Sequence, residues 1–152
     1  MSDVETEFLG EINADLEEPL ALGPTPHGTR IIYNIKGGTF KGPKINGEIL
    51  RGGADWFIMR SDGVGELDVR ATLRTDDGAL IYTYYRGILS IAPDVGERIQ
   101  KGEAVDPTEY YFRTTPVFET ASEKYAWLNS IISVGMGKVM PGSVYYKVYV
   151  IL

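Results

Sequence analysis

Between Glu66 and Arg74 the side chains alternate strictly, with Leu67, Val69, Ala71 and Leu73 on one side and Asp68, Arg70 and Thr72 on the other. A period of two is strand geometry, with one face buried and the other free. Asp77-Gly78 follows, the favoured centre of a two-residue hairpin turn, and then the aromatic run from Leu80 to Leu89, LIYTYYRGIL. A two-residue turn pairs Asp76 with Ala79. Counting back sets Thr72 opposite Thr83, Arg70 opposite Tyr85 and Asp68 opposite Gly87. In that register Asp68, Arg70, Thr72, Thr83 and Tyr85 share one polar surface, while the apolar face continues through Tyr82 and Tyr84. A slip of one residue would exchange the faces of one strand. The polar face is either the solvated outside of a β-protein or the lining of a ligand pocket.

The remainder of the chain reads as more of the same architecture. Eighteen glycines and ten tyrosines in 152 residues favour turns and aromatic strands. Strands are expected at 8–14, 29–35, 45–50 and 55–60, and then in the hairpin. Further strands are expected from about Glu109, at 131–139 and at 143–151. Residues 15–28 are Pro-rich and read as a loop, and Gly37-Gly38 to Gly42-Pro43 as a turn. Short helices are expected at 93–101, which starts on Pro93, and at 122–129, which opens on a Ser N-cap. The fold class is therefore all-β with one or two short helices: one domain over 1–152, a mostly antiparallel barrel of about nine strands.

Charge and composition exclude several classes of function. A net charge of −6 with scattered basic residues argues against nucleic acid and anionic membranes as partners. No cysteine is present, which removes disulfides, thiolate zinc sites and a cysteine nucleophile. The single histidine, His27, lies in a Pro-Gly loop, so neither a transition-metal site nor a Ser-His-Asp triad is expected. The Gly-Gly pairs lack the spacing and the strand-to-helix setting of phosphate loops. No signal-peptide pattern opens the chain and no apolar run is long enough to span a membrane, so a cytoplasmic protein is the expectation.

Several blocks carry a family resemblance: GGTFKGPKINGEILRGGADW (37–56), LDVRATLRTDDGALIY (67–82), EYYFRTTPVFETASEKYAWLN (109–129) and VGMG (134–137). Together they resemble the DUF3237 family, also called UPF0311, over about residues 24–150. The resemblance implies a small antiparallel β-barrel. It implies no single agreed reaction.

A barrel of about eight to ten strands can leave room for one small ligand among apolar walls and a few fixed polar groups. Asp68 and Arg70 project from one face about 7 Å apart and form either a substrate-orienting pair or a structural ion pair. Thr72 and Thr83 flank them. Asp55 follows Gly52-Gly53 and is a candidate general base if burial raises its pKa; the alternative is a turn aspartate. Its neighbour Trp56 is either a stacking wall or a core residue, and alternation lets only one of the two face inward. Tyr111 and Arg113 share a face, where a phenol donates to a developing enolate and a guanidinium holds an anion; they equally fit an amphipathic strand. Tyr125, Trp127 and Asn129 form a lid or a plug at one barrel end.

Three functions follow as expectations. The first is an enzyme without metal or organic cofactor, doing isomerase, cyclase, hydratase or lyase chemistry on a small oxygenated molecule in the lumen. Asp55 or Asp68 would serve as base, Tyr85 or Tyr111 as donor, and Arg70 and Arg113 as anion holders. Trp56, Thr72, Thr83 and Trp127 would complete the substrate contacts. The second is a small-ligand carrier without turnover. The third is a structural homo-oligomer through the aromatic strand Tyr145–Tyr149.

Overall fold

The hairpin forms, one residue away from the register counted above. In the computed structural model, which describes residues 3–152, it joins β6 (Val64–Thr75) to β7 (Leu80–Ser90). Thr72 pairs with Tyr82, Arg70 with Tyr84 and Asp68 with Arg86. The loop has three residues, Asp76-Asp77-Gly78, closed by the Thr75 N–H on the Ala79 carbonyl (2.9 Å) and the Gly78 N–H on the Thr75 carbonyl (2.9 Å). Gly78 alone takes positive φ, at 89°. The expected two-residue turn would have needed Asp77 there as well.

Tertiary contacts explain the difference. The Asp77 carboxylate accepts from Lys124 Nζ at 2.7 Å, from the Tyr125 hydroxyl at 3.0 Å and from the Thr75 hydroxyl. Lys124 and Thr75 hold it well below the usual carboxylate range. The slip exchanges the faces of β7. Ile81, Thr83 and Tyr85 turn inward with Leu67, Val69, Ala71 and Leu73. Tyr82 and Tyr84 join Asp68, Arg70 and Thr72 on the outside. The five-residue polar surface is thus divided between the two faces of the sheet.

Among the described residues eleven strands are present. Before the hairpin lie β1 (Thr6–Leu16), β2 (Leu20–Thr25), β3 (Gly28–Lys41), β4 (Asn46–Ile49) and β5 (Ala54–Met59). After it come helix α1 (Pro93–Gln100), β8 (Tyr111–Thr114), β9 (Val117–Glu119), β10 (Ile132–Met140) and β11 (Ser143–Ile151). Eight strands close an antiparallel barrel in the circuit β6-β5-β3-β1-β11-β10-β8-β7, with β7 returning to β6. The other three are accessory: β2 pairs β3, β4 bridges β3 and β6, and β9 pairs β7.

Three local readings change. The Pro-rich loop holds β2, and β3 runs on through Gly37-Gly38 instead of turning. At Gly38 a Cβ would lie 2.0 Å from the Asn13 carbonyl oxygen, so the glycine serves the close approach of β1 to β3. The helix expected over 122–129 is a shorter 3-10 turn, Ala126–Ser130. Among the described residues no helix is long and apolar enough to cross a membrane.

The barrel ends differ. At the hairpin end the interior is filled by Phe40, Ile45, Ile81 and Leu128, each no more than 2% exposed, together with Phe118. Leu128 comes from the 3-10 turn, so the segment around Tyr125 and Leu128 is a plug, fastened through Asp77 to the hairpin tip. At the other end lie the close of β1 and the β10–β11 turn, joined by the Leu16 N–H on the Gly142 carbonyl (3.0 Å). Here α1 contributes one buried residue, Val95. Truncating Leu128 to Ala should cost about 2–5 kcal/mol of stability, because the plug leaves little room for collapse around the lost atoms. Chemical denaturation of the variant checks this.

Candidate active site in the open half of the barrel

The open end holds a cavity of about 320 Å³. Its walls are mainly apolar, with Ile35, Phe57, Leu67, Val69, Leu89 and Phe112 among them. Two aromatic walls rest on glycines. A Cβ at Gly65 would meet the Phe57 ring at 2.3 Å, and one at Gly137 would meet the Phe112 ring at 2.5 Å. These glycines let each ring lie over the adjacent, paired strand and leave the space in front of it free.

The polar groups of the interior are Asp55, Tyr33, Tyr85 and Tyr146, with Glu17 and Ser143 among the remaining lining residues. Asp55 sits on β5 between two inward partners, Tyr33 across on β3 and Val69 across on β6. Beyond it the β5–β6 pairing passes over Trp56 and Phe57 before resuming at Ile58–Glu66. In that interval the backbone N–H of Asp68 donates to Asp55 Oδ1 at 3.0 Å. Among the described residues no cation is set against this partly buried carboxyl, so desolvation dominates and pushes its pKa up to about 7. The Asp68 N–H opposes that rise and the Asp68 charge adds to it.

The tyrosines form one group around this carboxyl. Tyr85 and Tyr146 meet edge to face with ring centroids 5.5 Å apart, and Phe112 packs on the other side of Tyr146 at 5.4 Å. Burial raises both phenols, and the charge of Asp55 raises them further. The neighbouring Tyr146 hydroxyl offsets part of the rise of Tyr85. Tyr33 is raised by burial and then by Asp55. All three therefore remain phenols at neutral pH and serve as hydrogen-bond donors.

Of the residues singled out in the sequence, Asp55 and Tyr85 line this cavity. The rest lie elsewhere. Arg70 stands on the outer wall between Trp56 (6.0 Å) and Tyr84 (4.7 Å), with Asp68 at 3.5 Å. It is a surface ion pair over aromatic rings. Trp56 faces outward, as alternation beside Asp55 requires. Thr72 is on that outer side, and Thr83 points into the filled half and donates to the Val117 carbonyl at 3.1 Å. Tyr111 is 53% exposed, and Arg113 stacks on it at 5.0 Å from outside. Trp127 belongs to the plugged end, beneath Lys44 at 5.3 Å. Tyr33 and Tyr146 went unnamed in the sequence reading. Tyr146 was within reach, because it shares the inward parity of Val148 and Val150. Tyr33 sits in TRIIYNI, a continuous apolar run that has no polar face to orient it.

The molecule is thus a closed eight-stranded barrel, plugged at one end, with an acid–phenol pocket at the other. It belongs to the family described as "Protein of unknown function (DUF3237)", whose profile matches residues 4–151. A UPF0311 protein of Clostridium acetobutylicum is 38% identical over 150 residues, 98% of this chain and 95% of that one. The crystal structure of a conserved protein of unknown function from Rhodopseudomonas palustris superposes with a TM-score of 0.91 at 36% identity, covering 100% of both chains. An enzyme from Penicillium herquei shares the fold, with a TM-score of 0.71 at 21% identity, over 97% of this chain and 96% of that one.

The burial of Asp55 has a thermodynamic signature that needs no substrate. Its folded pKa is raised, so the folded state holds the proton more tightly than the unfolded chain. Stability from this group is complete below about pH 4 and declines as pH rises to about 7. Asn keeps the Oδ1 acceptor for Asp68 and removes the charge. Asp55→Asn should therefore match the wild type near pH 4 and exceed it by about 2–4 kcal/mol at pH 8. Denaturant unfolding of both proteins across that range tests it.

Proposed function

We propose that the cavity is the active site of a cofactor-independent enzyme that moves protons on a small, partly apolar, oxygenated molecule. One observation carries this reading: among the described residues Asp55 is a partly buried carboxyl in the cavity wall with no cation set against it, its pKa pushed up to about 7, beside phenols that stay protonated. A general base works best with a pKa near the operating pH, and a phenol that remains protonated is a fixed donor for a developing oxyanion.

In the proposed step the Asp55 carboxylate takes a proton from a carbon beside a carbonyl, or from a hydroxyl, of the substrate. The electron pair left behind moves toward the carbonyl oxygen, which accepts a hydrogen bond from Tyr85, supported by Tyr146. Returning the proton to a different atom isomerises the molecule. Attack by the freed oxygen within the molecule closes a ring, and loss or gain of a β-substituent gives lyase or hydratase chemistry. Dry apolar walls strengthen the interactions that stabilise the charge. Asp68, Arg70, Tyr111 and Arg113 have no part in this scheme, because they lie outside the barrel. The sharing of the fold with a protein described as an enzyme is compatible with the reading.

Proton transfer can be followed before the natural substrate is known. 2-Tetralone is neutral, bicyclic and enolisable. In D2O its α-hydrogens should exchange faster with the protein than in buffer, as read by proton NMR. The rate should rise with pH through about 7 and level off above, since the base acts when ionised. Asp55→Asn should reduce the protein-dependent rate at least ~100-fold. Tyr85→Phe should reduce it by about tenfold. An unaltered rate in Asp55→Asn would remove the base from the scheme. Ligand that binds but never exchanges would favour a carrier.

A further inference from the structure

The distribution of charge around the cavity is one-sided. Among the described residues no Lys, Arg or His lines it, while Asp55 and Glu17 do. The arginines nearest in the sequence reading, Arg70 and Arg113, stack on outer aromatic rings. Arg51 pairs with Glu17 at 3.3 Å and is 71% exposed, so it adds no cation to the interior. The chain as a whole carries −6, which repels anions before they reach the mouth. An anionic ligand would lose its hydration, find no counter-charge and face an ionised Asp55 across an apolar space, where charges are poorly screened.

The hydrogen-bonding groups favour one of the remaining choices. Tyr33, Tyr85 and Tyr146 present phenol donors, and ligand oxygens with free lone pairs would satisfy them. An ammonium group offers the tyrosines no acceptor, although the aromatic walls and Asp55 would attract its charge. The volume, about 320 Å³, lies at the lower end of the range for small-molecule pockets.

We infer that the lumen selects its ligand by charge: it takes uncharged, acceptor-bearing molecules of about bicyclic size and rejects carboxylates and other anions of the same shape. The inference rests on the cavity being the binding site, as in the preceding section, and is independent of turnover. It replaces the anion-holding role that the sequence assigned to Arg70 and Arg113 with the opposite preference.

Three probes of one shape test it: 2-tetralol, tetralin-2-carboxylate and 2-aminotetralin, titrated calorimetrically into the full-length protein at pH 8. The alcohol should bind at least tenfold more tightly than the carboxylate. Asp55→Asn should narrow that gap to about threefold or less by improving the carboxylate, since the repelling charge is gone. Carboxylate binding equal to that of the alcohol overturns the inference. So does an amine that binds tightest, or failure of all three to bind. The two proposals fail separately. A preference for the alcohol without hydrogen exchange on 2-tetralone leaves charge selection standing and ends the catalytic reading. Exchange accompanied by tight carboxylate binding does the reverse.

Discussion

Closing eight strands into a barrel fixes how much interior there is, and at that number ordinary side chains roughly fill it. Any departure from large apolar residues at inward positions then appears as a void. At the hairpin end Ile45, Phe118 and Leu128 are added from loops and accessory elements to Phe40 of β3, and the interior is solid. At the other end the inward positions include Ala14, Asp55 and Ser143, and among the described residues no element inserts a comparable plug. The cavity follows from this asymmetry, with Gly65 and Gly137 taking up Phe57 and Phe112 so that these rings become walls instead of filling.

Within that frame the cost of burying Asp55 is the feature that organises the site. A carboxyl even partly withdrawn from water ordinarily has an arginine or several backbone donors. Here the chain supplies one, the Asp68 N–H, where the β5–β6 pairing is interrupted. The group is held in place without being neutralised, and its proton affinity rises. The same arrangement is expected to lower stability above neutral pH, and in the proposed scheme it supplies the base. Such conflicts between packing and polarity concentrate where a protein does chemistry.

Much of the barrel was legible in the sequence because its signals are local. Alternation at 66–74 and 143–151, the turn glycines and the β-branched run at 29–35 each specify an element without reference to the rest of the chain. The site was less legible because it depends on register, a tertiary property. Asp77 has a side chain that Lys124 and Tyr125 hold from about 47 positions further along the chain, and this favours a three-residue loop over the two-residue turn that local propensity suggests. One residue of slip moved Tyr85 from beside Arg70 to beside Tyr146. Asp55 was recognisable from its setting after Gly52-Gly53, but its value as a base was not, since burial and the absence of a cation are properties of the assembled barrel.

The outer arginines show why polar clusters on strands mislead. Arg70 and Asp68 are two apart on one face, which looks like a binding pair in one dimension. In three dimensions the pair is half-exposed at 3.5 Å, and the guanidinium gains as much from lying over Tyr84 and Trp56. Exposed pairs of this kind contribute little to stability. The informative polar residue is the opposite kind, one with few partners and little water. Among the described residues Asp55 differs from Glu66 and Asp68, equally half-buried on the neighbouring strand, in having no arginine partner and one backbone donor, and the unmet part of its hydrogen bonding is what a ligand in the cavity would supply.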